Sequence, residues 1–280
     1  MIDIIIAVIS ITLSYYYAAF VNGYARSGIW PGILVFAVSF LIAYILICVI
    51  FWVVCCILSL TVSMKREYAS FSRFYGVLFG LIMEYAACLA GARVRVVGKD
   101  KLPKRRFLLV SNHLSNFDPI VTAGELKSHS LAYISKGGNF GIPMGRRYMK
   151  RCRYLMLDRD DTRSGINIMK KAAEMIESGD CSVGVYPEGT RNFNADGLLE
   201  FRPGCFKIAL WAKCPIVVEI VKGTQNIHKR FPLRRTKVTV EFAGVIDYEE
   251  IKDKKTQEIA RMVREIMLGK IQEKAGGMCK

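Results

Sequence analysis

Apolar residues crowd the start of the chain and then give way to a finer alternation. Residues 4–21 carry no charge, and neither do residues 33–62; up to Ser63 only Asp3 and Arg26 are charged. A helix needs about 20 apolar residues to cross a bilayer. The first stretch is just long enough, and the second has length to spare for tilt. Residues 1–63 are therefore expected to form a transmembrane helical hairpin. The first stretch lacks the basic leading region of a cleaved signal peptide.

The periodicity changes after Ser63. Tyr68, Phe71, Tyr75, Leu78, Ile82, Tyr85 and Leu89 recur at steps of three and four, with Lys65, Arg66 and Arg73 beside them. This pattern predicts an amphipathic helix over residues 64–91 that lies in the membrane interface and stops at Gly91. From Arg93 on, short apolar runs alternate with helical patterns. Strands are expected at 94–97, 107–110, 131–134, 154–157, 181–186, 216–221 and 237–242. Helices are expected at 119–126, 163–178, 204–212 and 248–273. The alternation predicts an α/β domain over residues 92–280, with a central mixed sheet flanked by helices and a helical membrane anchor in front of it.

Charge sharpens this division. The chain has 280 residues and a formal net charge of +16, and since Asp3 and Arg26 cancel, the whole excess lies on residues 64–280. Lys65, Arg66 and Arg73 follow the second apolar stretch, whereas the connection between the stretches holds only Arg26. The positive-inside rule then places residues 64–280 in the cytoplasm. A basic domain beside a membrane suits anionic lipid headgroups or acidic partners. The chain contains no nucleic-acid recognition motif, so nucleic acid is not an expected partner. The nine cysteines are odd in number and form no Cys-x-x-Cys pair. They point to free thiols in a reducing compartment, not to a disulfide framework or a zinc site.

Candidate chemistry begins at SNHLSNFDP, residues 111–119, which holds one of only three histidines, His113. It follows the strand at 107–110. Asp118-Pro119 reads as a helix start, with an N-cap aspartate and proline at the first helical position. The loop between is long enough to fold Asp118 back onto the His113 imidazole. The carboxylate would then fix the tautomer and leave the other ring nitrogen free as a base. A second constellation is VGVYPEGTRN, residues 183–192. There Gly189 lets the backbone approach a ligand, and Arg191 offers a planar fork for phosphate or carboxylate. Glu188 could hold that arginine or accept a ligand hydroxyl. Lys136 in ISKGGNF, Arg159 in YLMLDRDD, and Gly204 and Lys207 in FRPGCFKIA also fall near strand ends or helix starts, where α/β folds build sites. Ser111 and Ser115 are conceivable nucleophiles, but neither sits in a Gly-x-Ser-x-Gly elbow.

Four blocks in order, Asn112-His113-x-x-x-x-Asp118, Leu155-x-Leu157-Asp158-Arg159, Tyr186-Pro187-Glu188-Gly189-Thr190-Arg191 and Pro215-Ile216-Val217, resemble the glycerolipid acyltransferase family. Within that family they are most similar to the 1-acylglycerol-3-phosphate (lysophosphatidic acid) acyltransferases. Two departures stand out. Leu157-Asp158 replaces the aromatic often found before the arginine, and Val218-Glu219 stands where a second proline is common. The resemblance implies an integral protein of the cell membrane, active in phospholipid synthesis, with its catalytic domain on the cytoplasmic side. A lysophosphatidic acid sn-2 hydroxyl would attack the thioester of acyl-CoA or acyl-carrier protein to give phosphatidic acid. In that reaction His113 takes the proton and Asp118 orients it. Arg159, Glu188, Gly189, Thr190 and Arg191 would hold the glycerol phosphate, with Lys136 in addition. Membrane lipids are the expected partners, and neither metal nor cofactor is expected beyond the acyl donor. The alternatives are another lysolipid or glycerol-3-phosphate as acceptor, a lipid hydrolase using the same dyad with water, and a non-catalytic module that binds anionic membranes.

Overall fold

The two charge-free stretches fold as helices, α1 (Ile2–Ala25) and α2 (Ile29–Leu60). The structure is a computed structural model, and it describes residues 2–25, 29–157, 162–193 and 197–276. It divides into two compact units, Met1–Ser63 and Met64–Lys280.

In the first unit α1 and α2 pack on each other, and Tyr44 Oη donates to Asp3 Oδ1 at 3.1 Å. Their polarity is inverted relative to a water-soluble helix pair. Ser10, Ser14 and Ser59 are buried, while Ile4, Leu34 and Leu41 point outward. The serine hydroxyls spend their hydrogen bonds on their own helices, Ser10 on Ile6 O and Ser14 on Ser10 O. An apolar exterior over a polar seam suits a lipid environment. The spans Asp3–Val21 and Trp30–Leu60 are each long and apolar enough to cross a membrane.

The second unit opens with an irregular segment. The helix expected over residues 64–91 is confined to α3 (Arg73–Leu89). The residues before it are held as loop by tertiary bonds to their backbone. Arg151 donates to Ser70 O, Arg153 to Ala69 O and Lys150 to Met64 O, and Phe71 N donates to Asp180 Oδ1. Two residues of the stripe expected to face the membrane interface, Ile82 and Tyr85, are buried in the core, and so is Phe79, which stacks on Tyr148 at 5.4 Å between ring centroids.

Seven strands follow: β1 (Ala92–Val97), β2 (Leu108–Ser111), β3 (Leu131–Lys136), β4 (Leu155–Leu157), β5 (Ser182–Val185), β6 (Ile216–Lys222) and β7 (Thr236–Ile246). They form one sheet in the order β1-β7-β6-β2-β5-β3-β4. Every neighbouring pair is parallel except β6 and β7, so the sheet is mixed, as the alternation predicts. Successive strand residues face opposite layers. Val110, Val183 and Val218 meet α6 (Thr162–Glu177), α7 (Lys207–Trp211) and α10 (Thr256–Gly276). Leu109, Tyr133 and Val217 meet α3 and α4 (Asp118–Glu125) on the other side.

Three helical details differ from expectation. The helix expected at 204–212 is a 3-10 turn (Pro203–Phe206) leading into α7. The one expected at 248–273 breaks into α9 (Tyr248–Ile251) and α10. A capping box joins Asp247 to Glu250, and Lys255 N donates to Glu258 Oε2 at 2.7 Å, so two helix starts are sealed where the pattern predicts one. Two further short helices, α5 (Pro143–Arg151) and α8 (Ile227–Arg230), arise where no apolar stripe announces them; α5 buries only Tyr148 and Met149.

Candidate active site

Strands β6, β2 and β5 run parallel, so their C-terminal ends lie on one edge of the sheet, where open α/β folds place ligands. The chain leaves β2 at Ser111 and is at once tied to β6. Asn112 Nδ2 donates to Val221 O at 3.0 Å, and Val221 N donates to Asn112 Oδ1 at 2.7 Å. The amide side chain thus continues the β2–β6 ladder after the backbone has turned away. This is a structural part for Asn112 that motif spacing does not convey.

His113 comes next and is fixed on four sides. Its backbone N–H donates to Glu188 Oε1 at 3.0 Å, and its carbonyl accepts from Asn192 N at 2.6 Å. Its ring stacks on Tyr186 with centroids 4.3 Å apart. Its Nδ1 lies 2.8 Å from Asp118 Oδ2. An acceptor-only carboxylate facing Nδ1 selects the Nδ1–H tautomer and leaves a lone pair on Nε2. The His113 side chain remains 17% exposed.

The expected N-cap at Asp118 is corrected. The helix starts at Asp118 itself, Phe117 occupies the cap position, and no side-chain cap bond forms. The carboxylate turns back over its own loop. Oδ2 accepts from Leu114 N and Ser115 N, both at 2.7 Å, besides facing His113. Oδ1 accepts from Thr224 Oγ1, just beyond β6. Four donors around a fully buried carboxylate hold it in one place. They also match the two-oxygen, acceptor-only chemistry of the ionised form.

The support of the His113 ring has a further layer. Tyr186 stacks on Tyr133 at 5.9 Å. Tyr133 has room because residue 184 is glycine: a Cβ there would lie 2.4 Å from Tyr133 Cε1. Burial pushes both phenols well above their ordinary range. Beneath them Glu219 is fully buried on β6, at an irregularity in the β6–β7 pairing. Its Oε1 accepts from Thr122 Oγ1 at 2.8 Å, and its Oε2 has no hydrogen-bond partner among the described residues. Burial raises its carboxyl to about 7; the hydroxyls of Ser111 and Thr122 pull it down, and Asp118 pushes it up.

The second constellation forms the neighbouring wall. Gly189 adopts φ +66°, a conformation that suits glycine, and a Cβ there would lie 2.8 Å from Arg202 Nε. The Arg202 side chain therefore lies across the turn. Arg202 belongs to the stretch FRPGCFKIA, where its spacing carries no signal of a site; its exposed guanidinium joins Arg191 as a second cation on this wall. Arg191 is half-buried, with its guanidinium over the Phe193 ring at 5.6 Å, and Thr190 is exposed. Glu188 meets neither the arginine nor open cleft. Its two oxygens accept from His113 N and Leu199 N, each at 3.0 Å, and the residue is 3% exposed. In this fold Glu188 pins two loops together through those two bonds. Burial raises its carboxyl above the usual range, against the pull of the two backbone amides.

Lys136 ends β3 opposite Leu157 of β4 and is exposed. It shares the sheet edge but stands two strand spacings, about 10 Å, from β2. Arg159 lies outside the described residues. Among the described residues no group of His, Cys, Asp or Glu side chains could hold a metal ion.

A buried dyad with a free Nε2 beside two cations suits transfer of a group to or from an anionic molecule. Residues 93–221 match the family model described as Acyltransferase. This segment is an acyltransferase domain. It holds the dyad, the Glu188 pin, Arg191 and Glu219, while Thr224 lies three residues past it. Several relatives carry the name 1-acyl-sn-glycerol-3-phosphate acyltransferase. The Saccharomyces cerevisiae protein is 27% identical over 188 residues, 66% of this chain and 62% of its own length. The Haemophilus influenzae protein is 28% identical over 203 residues, 72% of this chain and 79% of its own. The alpha form from Ovis aries is 28% identical over 197 residues, 67% of this chain and 66% of its own. The match thus spans less than two thirds of the yeast and sheep proteins. Among solved structures, the crystal structure of the 1-acyl-sn-glycerophosphate (LPA) acyltransferase PlsC from Thermotoga maritima superposes with a TM-score of 0.61. It is 21% identical and covers 97% of each chain, which shows a likeness of fold.

Proposed function

We propose that the protein is a 1-acylglycerol-3-phosphate O-acyltransferase. It transfers a fatty acyl group from acyl-CoA or acyl-carrier protein to the sn-2 hydroxyl of lysophosphatidic acid, giving phosphatidic acid. His113 Nε2 takes the hydroxyl proton as the oxygen attacks the thioester carbonyl. The new C–O bond forms, the C–S bond breaks, and the proton passes from His113 to the departing thiolate. Asp118 keeps the ring oriented and offsets the imidazolium charge. Base catalysis of this kind is worth about 10²–10⁴-fold. Arg191 and Arg202 hold the acceptor phosphate, with Lys136, Arg159, Gly189 and Thr190 around it. The α1–α2 hairpin spans the membrane and leaves the acyltransferase domain on the cytoplasmic side.

The observation that carries this reading is the Nδ1–Asp118 bond at 2.8 Å, which leaves Nε2 free at the strand-end edge beside Arg191. It is supported by the family match over the same residues and by the printed names of the relatives. The test is purified protein given lysophosphatidic acid and each acyl donor in turn, with lipid products and free thiol followed together. Equal amounts of phosphatidic acid and thiol are expected. Thiol released with free fatty acid and no diacyl product would instead mean transfer to water, and the proposal would fall.

A further inference from the structure

The connection from β6 to β7 has an unusual surface. It leaves the buried Ile227 and returns to the buried Thr236, whose N–H donates to Gly91 O at 2.8 Å. Every residue from 228 to 235, HKRFPLRR, is exposed. Its tip is apolar: Phe231 is 54% and Leu233 91% exposed, with Pro232 between them. Leu233 is the most exposed large apolar side chain among the described residues. Two pairs of cations flank the tip, Lys229-Arg230 and Arg234-Arg235, and no acidic residue occurs between Ile227 and Val240. Among the described residues none of the four cations has a carboxylate partner. The basic surface continues at the loop's base, where exposed Arg93 and Lys237 stand in register on β1 and β7.

We propose that this loop is a membrane-docking element that inserts Phe231 and Leu233 into the interface of an anionic bilayer while Lys229, Arg230, Arg234 and Arg235 engage lipid phosphates. The layering carries the inference. A bilayer offers an apolar interior beneath a plane of anionic headgroups, and the loop offers an apolar tip beneath two pairs of cations one and two residues back. Cations alone would suit any acidic surface. An apolar tip this exposed, held out by a turn in which Arg234 N donates to Arg230 O at 2.9 Å, calls for an occupant with apolar depth. The same chain carries two helices long and apolar enough to cross a membrane, so a bilayer is at hand. The loop also begins four residues after Thr224, which bonds Asp118. Docking it would hold the dyad's edge of the sheet against the surface that contains a lipid acceptor. That consequence rests on the proposed acyl transfer, whereas the contact itself does not.

The test uses the full chain in lipid nanodiscs, with a photoreactive benzophenone amino acid in place of Leu233. Illumination in discs containing phosphatidylglycerol should give phospholipid adducts, read by mass spectrometry. The yield should fall several-fold in discs of phosphatidylcholine alone. It should also fall several-fold when Lys229, Arg230, Arg234 and Arg235 are all replaced by Gln. The same probe at exposed Lys254, on the turn between α9 and α10, sets the background. A His113→Ala version should give undiminished adducts, so the outcome does not depend on turnover. Lipid adducts at position 233 no higher than at 254 would overturn the proposal. So would equal yields in the two kinds of disc, or preferential capture of added acyl-carrier protein in place of lipid.

Discussion

Glu219 gives the acyltransferase domain a pH dependence that can be isolated by one substitution. The carboxyl is fully buried, bonded through Oε1 to Thr122 and without a hydrogen-bond partner at Oε2 among the described residues, with Asp118 as a charged neighbour. No cation is among the groups that act on it. Its carboxyl stands at about 7 in the folded protein against 4.5 for the free side chain. The folded state therefore holds a proton that the unfolded chain has already released between those values. The stability this confers is complete below 4.5 and is lost as pH climbs through 7. A separation of about 2.5 units at 1.36 kcal/mol each comes to about 3 kcal/mol. For a domain of this size that corresponds to roughly 6–12 °C in Tm.

Glu219→Gln keeps the shape and an oxygen for Thr122 to donate to, but it cannot ionise. The assay is thermal unfolding of the detergent-solubilised full chain, both versions, at several values from pH 5 to pH 8. Glu188 and every other titrating group are common to the two proteins and cancel in the difference. The Tm of Glu219→Gln should rise relative to the parent as pH increases, and level off above about pH 8. A gap that stays constant would mean that Glu219 does not titrate in this range. A gap that runs the other way would mean that Glu219 is a stabilised carboxylate, and the account of a lone buried acid would be wrong.

Asp118→Asn should fold, since one amide oxygen can serve His113, Leu114 and Ser115 while the Thr224 hydroxyl turns to accept from the NH2. Opposite charges about 4 Å apart are worth about 4 kcal/mol at an effective dielectric of ~20. With the proton half transferred, kcat should drop roughly 30-fold, and a kcat within twofold of the parent would show that the carboxylate charge does not assist. Asp118→Ala would strand four buried donors and is expected to lose several kcal/mol of stability, visible as a lowered denaturant midpoint. Arg191→Ala should cost about 10- to 150-fold in kcat/KM for the acceptor, mostly in its KM, and Arg191→Lys should restore only part. A rise confined to the acyl donor's KM would move Arg191 to the donor's phosphates. The full chain should stay in the membrane pellet through carbonate and high-salt washes, and its release by salt alone would contradict a spanning hairpin.

What the sequence discloses and what it hides follow from the range of the interactions. Strands show because each is a short apolar run facing two covered layers: Leu108, Leu109 and Val110 are all buried, as are Ile216, Val217 and Val218. The dyad shows because His113 and Asp118 share one loop. Its geometry does not, because a cap and a backward-folded clasp place the same aspartate beside the same proline. The choice between them was made by the N–H groups of Leu114 and Ser115 and by a threonine 106 positions away. Glu188 is the same lesson in reverse. Local spacing offered it Arg191 or a ligand hydroxyl as partner, and the fold supplied two backbone amides, one of them 75 residues distant.

The bonds that hold the loop after β2 share one origin. Asn112 meets Val221, Asp118 meets Thr224 and Thr122 meets Glu219, at separations of 109, 106 and 97 residues. All three join the loop and helix after β2 to β6 or the turn beyond it, and all exist because Ser111 stands in register with Glu219. With that register set, α4 presents Asp118 and Thr122, one turn apart, toward the β6 side. Val218-Glu219 is also where this chain departs from the proline common in the family, and the departure places an acid under the dyad. A polar residue at such a site is hard to explain as core filling, since burying an incompletely bonded carboxyl costs stability. Shifting the register of β6 by one residue would turn Glu219 toward the layer of α6 and α10 and break all three bonds together. The sheet pairing therefore determines the geometry of the candidate site as directly as the motif residues do.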